Sequence, residues 1–118
     1  LKKQSKISLM NITTQKTGEG VLVQVEGRID TTNYNEFESA MNEVFKENVN
    51  QICLDCSGLN YISSSGLRIF LTVQKKMMAQ GGKFKLFAMQ PAIKEIFDIS
   101  GFSSIFSIYP DHDAAIKG

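Results

Sequence analysis

Tryptophan is absent from the chain, histidine occurs once and cysteine twice. These scarcities remove much chemistry before any motif is read. His112 is the one imidazole, so a histidine acid–base pair or a histidine-rich metal site has nothing to be built from. No apolar run approaches the roughly 20 residues that span a bilayer, and no basic stretch followed by an apolar core marks a secretory signal. A surplus of charge is missing too. The chain has 13 Lys and Arg against 12 Asp and Glu, a net of +1. Nucleic-acid binders gather a basic excess on one face, so neither nucleic acid nor membrane is an expected partner. Lys2, Lys3 and Lys6 make a mild basic cluster, read as a solvated leader over residues 1–9. The start at Leu1 rather than methionine is expected of a trimmed or cloning-derived end.

What is present is ordinary for a folded domain. Hydrophobic residues make up 42% and charged residues 21% of 118 residues, enough for one core over residues 10–118. Cys53 and Cys56 form a C-x-x-C. A redox or zinc role needs both thiols on one side. Gln51 to Cys56 reads as a strand, in which positions an odd number apart point to opposite faces. The expectation is two buried thiols in a reduced, cytoplasmic protein.

The apolar pattern alternates between strands and helices. Met10 to Gln15 and Val21 to Glu26 read as strands joined by the Thr17-Gly18-Glu19-Gly20 turn, an antiparallel hairpin. Gly27 to Asp30 then leads to a helix capped by Thr31 or Thr32, with Tyr34, Phe37, Met41, Val44 and Phe45 at helical spacing. A strand from Gln51 to Cys56 is followed by Ser57-Gly58 as a break. A second helix, about Ser65 to Gln80, buries Leu67, Phe70, Leu71, Met77 and Met78. It exposes Arg68, Thr72, Lys75 and Lys76, and Gly81-Gly82 stops it. Lys83 to Met89 gives a strand. Pro91 opens a third helix with Ile93, Ile96 and Phe97 on its apolar stripe. Ser104 to Ile108 reads as a last strand and Asp111 to Lys117 as a closing helix. The order predicts an α/β fold: a mixed β-sheet of four to five strands with an N-terminal antiparallel hairpin, flanked by about four helices.

Ser63, Ser64 and Ser65 stand between a strand and a helix. One of them is expected to cap the helix. The same place suits a phosphorylation switch, because unpaired amides and the positive end of the helix dipole tolerate an added phosphate. Other serine chemistry fits worse. A nucleophile elbow needs G-x-S-x-G, and the run lacks the first glycine. No G-x-x-x-x-G-K-[ST] phosphate loop occurs. No enzyme activity, cofactor or metal is expected.

Four stretches carry a family resemblance. Gly27-Arg28-Ile29-Asp30 is similar to G-x-[LI]-D, and Leu54 through Ile62 to L-D-x-S-x-[LV]-x-[FY]-[IM]. Ser63-Ser64-Ser65-Gly66-Leu67 is similar to D-S-[ST]-G-L, and Ile96 through Phe102 to [LI]-F-[DE]-x-[ST]-G-[LF]. In order and at this spacing, the chain resembles the STAS domain family from about Ile12 to Ile116, specifically bacterial anti-sigma factor antagonists.

The resemblance implies a partner switch that regulates sigma-factor-dependent transcription. The antagonist binds an anti-sigma factor that is also a serine kinase, and this frees the sigma factor. The kinase phosphorylates the serine after the motif aspartate and the complex separates. A serine phosphatase of the metal-dependent type reverses the step. The implied acceptor is Ser64, with Ser65 as the alternative, and Ser63 stands where the family has aspartate. Partner contacts are expected at Asp30, Ser63, Ser65, Gly66, Arg68 and Thr72, since α/β sheets carry functional groups at the carboxyl ends of their strands. A helix-capping carboxylate is the other reading of Asp30. The alternative function is a divergent STAS scaffold or transport-complex subunit not regulated by phosphorylation.

Overall fold

The computed structural model describes residues 10–18 and 20–118. The basic leader and Glu19 of the hairpin turn lie outside the described residues. Five strands, four helices and one 3-10 turn follow in chain order. They are β1 (Met10–Lys16), β2 (Val21–Ile29), α1 (Tyr34–Phe45), β3 (Gln51–Ile62), α2 (Ser64–Ala79), β4 (Lys83–Phe87), α3 (Pro91–Ile99), the turn Phe102–Ser104, β5 (Ser107–Tyr109) and α4 (His112–Lys117).

The sheet order is β1-β2-β3-β4-β5. The first pair is antiparallel, as a tight hairpin requires, and the other pairs are parallel, as helical crossovers require. The expected mixed sheet with an N-terminal hairpin is therefore the fold. Helices α1, α2 and α3 cover one face. There Phe37, Met41, Phe70, Val73, Met77, Ile93 and Phe97 pack on Val23, Ile29, Ile52, Leu54 and Leu86. Phe70 sits amid Phe37, Phe97, Phe84 and Phe106, with ring centroids 5.3 to 6.3 Å away.

Helix α4 covers part of the other face over Cys53 and Phe87. Buried Lys85 anchors it by donating from Nζ to the carbonyls of Ala115 (2.7 Å) and Gly118 (3.0 Å). A cation there meets orphan carbonyls at the negative end of a helix. Cys56 faces the main core and Cys53 the α4 side, so the two thiols do point to opposite faces. Burial raises both thiols, Cys56 up to about 12, which leaves little thiolate at neutral pH.

Several boundaries differ from expectation. Ser57-Gly58 does not break β3, which runs through to Ile62. The ladder with β2 shifts register between Gln24 and Glu26 and again between Gly27 and Arg28, and Gly27 has φ 97. A bulge absorbs the extra residue without ending the strand. Gly58 is needed because a Cβ there would lie 2.8 Å from Glu26 Cγ. Strand β2 accordingly continues past Glu26 to Ile29. Strand β4 stops at Phe87, since Ala88 takes φ 59, and β5 starts only at Ser107, after the 3-10 turn. Met78, expected inside, is 67% exposed. Ile69, Val73 and Gln74 are buried instead, and Gln74 donates to the Ile105 carbonyl at 2.8 Å.

Candidate functional site

The parallel pairing of β2 and β3 brings Ile29 beside Ile62 at the carboxyl ends of both strands. The next residues are Asp30 on one strand and Ser63 on the other. Ser63 is tied to that junction, donating its N–H to the Ile29 carbonyl at 2.9 Å. Its backbone is extended (φ −85, ψ 170), and its Oγ accepts from the Gly66 amide at 3.2 Å as the N-cap of α2. The expected cap is thus supplied by the first serine, and the helix starts at Ser64 rather than Ser65. Gly66 lets the helix settle onto the strand ends, because a Cβ there would lie 2.8 Å from Ile29 Cγ2 and 2.9 Å from Ile62 Cγ1.

The three hydroxyls are not equivalent. Ser63 is 8% exposed, and its Oγ lies 2.9 Å from Ser65 Oγ. Both are therefore committed to the cap. Ser64 is exposed, and its hydroxyl has no protein partner among the described residues.

Asp30 closes the turn before α1. Its Oδ1 accepts from the Thr32 hydroxyl (2.6 Å) and amide (2.9 Å), and its Oδ2 accepts from Arg28 Nε at 3.1 Å. Chiefly through the Thr32 bonds, with Arg28 adding, the carboxyl is held down at about 2. The cap of α1 is Asn33, not Thr31 or Thr32, and it makes no side-chain bond to the helix amides. The reason is that buried Asn33 reaches back instead. Its Oδ1 accepts from the Asp30 amide and its Nδ2 donates to the Arg28 carbonyl, both at 2.8 Å. Asp30 therefore orders the turn before α1 rather than capping the helix, and the loop stays at the surface beside Ser63.

Arg28 and Tyr61 join the site without having been anticipated. The guanidinium carbon sits 4.4 Å from the Tyr61 ring centroid, a cation–π contact between paired residues of β2 and β3. Their meeting depends on the bulged register, which periodicity alone does not reveal. Arg68 and Thr72 lie on the exposed side of α2, with the Thr72 hydroxyl donating to the Arg68 carbonyl at 3.1 Å. The structure thus gathers Asp30, Ser63, Ser64, Ser65 and Gly66 at one junction, with Arg68 and Thr72 one and two turns along α2. His112 is elsewhere, on α4 across the sheet, stacked on Phe87 at 4.9 Å. It cannot activate these serines. Among the described residues, no helix is long and apolar enough to cross a membrane.

Comparison with known proteins gives the chain a family. The STAS domain family model matches residues 11–115. BtrV of Bordetella bronchiseptica, provisionally named an anti-sigma factor antagonist, is 31% identical over 106 residues, covering 90% of this chain and 91% of that protein. The crystal structure of an anti-sigma factor antagonist from Mycobacterium paratuberculosis superposes with a TM-score of 0.84 at 24% identity, over 92% of each chain. The Bacillus cell fate determinant SpoIIAA, solved in its phosphorylated form, gives a TM-score of 0.70 at 20% identity, over 91% of this chain and 97% of that one. The chain belongs to the STAS domain family.

Proposed function

We propose that this protein is an anti-sigma factor antagonist whose hold on an anti-sigma factor serine kinase is released by phosphorylation of Ser64. The observation that carries the reading is the inequality of the serines: Ser63 caps α2 and Ser65 bonds the capping oxygen, while the Ser64 hydroxyl is exposed and has no partner among the described residues. The names of the relatives support the antagonist role, and a phosphorylated form is known for SpoIIAA. The docking surface comprises the Ser63 to Gly66 segment, the Arg68 and Thr72 side of α2, and the Asp30 loop. In the switch, Ser64 Oγ takes the terminal phosphoryl group of ATP and loses its proton, and ADP leaves. A metal-dependent serine phosphatase hydrolyses the ester. The setting is the bacterial cytoplasm.

The energetics need no refolding. Phosphate adds a charge of about −1.5 to −2. At the first residue of a helix it is tolerated, whereas in a closed interface it loses its water. A loss of roughly 3 kcal/mol lowers affinity more than a hundredfold. One observation favours a second reading, a STAS scaffold or transport-complex subunit indifferent to phosphorylation: Ser63 occupies the position of the family aspartate. Mass spectrometry after incubation with a cognate anti-sigma factor kinase and ATP separates the two. The switch predicts phosphate on Ser64. Phosphate on Ser65 moves the acceptor by one residue, and phosphate on Ser63 alone or on none of the three refutes the assignment.

A further inference from the structure

Arg68 is the uncommitted cation of α2 that follows Ser64 most closely along the helix. Arg28, the other arginine, is tied to Asp30 and to the Tyr61 ring. Arg68 is exposed and forms no ion pair among the described residues. It stands four residues after Ser64, and both belong to α2. Residues so spaced are neighbours on one face of a helix, about 5–6 Å apart at Cβ, and the favoured order places the anion before the cation. The rest of the exposed side of α2 carries Lys75 and Lys76, and no carboxylate occurs from Ser64 to Ala79. Lys76 leans over the Phe45 ring at 4.7 Å. The nearby Asp30 carboxylate is already bonded to Thr32 and Arg28.

We infer that a phosphate on Ser64 is captured by Arg68 within the same helix, and that this withdraws the guanidinium from an acidic surface on the partner. The inference rests on Ser64 being the acceptor. Unphosphorylated, α2 offers only cations, which complements a partner surface bearing carboxylates. Phosphorylated, the Ser64–Arg68 turn changes from a charge of +1 to about −0.5 to −1. Attraction is lost and repulsion gained at the same spot. Guanidinium–phosphate pairing is forked and directional, so a lysine at position 68 would serve less well.

The test reads the pair without a kinase or a partner. Phosphoserine is incorporated at position 64 during synthesis, and the second ionisation of the phosphate is followed by phosphorus NMR in the parent, R68K, R68Q and R28Q chains. The helix terminus acts in all four, so differences isolate the arginine. The expected midpoint in the parent is about 0.15 to 0.4 of a pH unit below that of R68Q, the size of an exposed pair of this spacing. R68K should fall between them, and the gap should shrink in 1 M salt. Equal midpoints in the parent and R68Q, or a shift produced by R28Q instead, would overturn the inference. A kinase that ignores Ser64 would refute the acceptor assignment while leaving this titration readable.

Discussion

Asp30 shows how a single side chain serves both the fold and the surface. Its carboxyl is depressed to about 2 by the Thr32 bonds and Arg28, against about 3.9 in an unfolded chain. The folded pKa is the lower one, so the contribution to stability is present above about pH 4 and is lost as pH falls towards 2. Asp30→Ala should therefore lower the denaturation midpoint clearly at pH 7 and progressively less between pH 4 and pH 2. Urea melts of both chains across that range check it, and a gap that is constant with pH would show that the ionised form is not what matters. Ser63 is equally specific in its work. Ser63→Ala removes the oxygen that accepts from Gly66 and should cost about 1 kcal/mol, as loss of an N-cap does. Ser63→Asp keeps an acceptor there and should be milder, a comparison that thermal melts would settle.

At the scale of elements, the close seating of α2 on β2 and β3 governs the site. Gly66→Ala would press a methyl group against Ile29 and Ile62, neither of which has room to move in the core. Overpacking of this kind costs about 1–3 kcal/mol, and chemical denaturation should record it as an earlier midpoint. How much of this was legible in the sequence varies by element. The hairpin, the crossovers, the Gly81 stop (φ 78) and the start of α3 at Pro91 follow from local residue chemistry and match the structure. Helix caps and bulges are less visible in the sequence because they answer to distant partners. Asn33 caps without bonding its helix because the Arg28 carbonyl claims its side chain. Ser57-Gly58 looks like a break, yet it passes through the sheet because a bulge in the ladder absorbs the extra residue and Gly58 leaves Glu26 its space. Met78 is exposed because the buried face of α2 is rotated towards Ile69, Val73 and Met77, away from the Leu71 and Met78 side. Of the site, the serine run and the Asp30 loop were visible as motifs, while Arg28 over Tyr61 required the register.

For the whole molecule, the phenylalanine cluster joins α1, α2, α3 and β4 through Phe70. Phe70→Ala should cost about 3–5 kcal/mol and lower the melting of all these elements together, which calorimetry and circular dichroism would show as a single displaced transition. A rigid scaffold of this sort allows a local charge to change binding while the fold is retained. The D-S-[ST]-G-L pattern that this segment resembles has a carboxylate at the position of Ser63, so on the proposed switch the place of the negative charge is what matters. Titration calorimetry of Ser64→Asp and Ser63→Asp against the anti-sigma factor kinase tests this most directly. Ser64→Asp is expected to lose most of its affinity with its fold intact, and Ser63→Asp to bind as the parent does. Equal affinities in the two variants would contradict the switch.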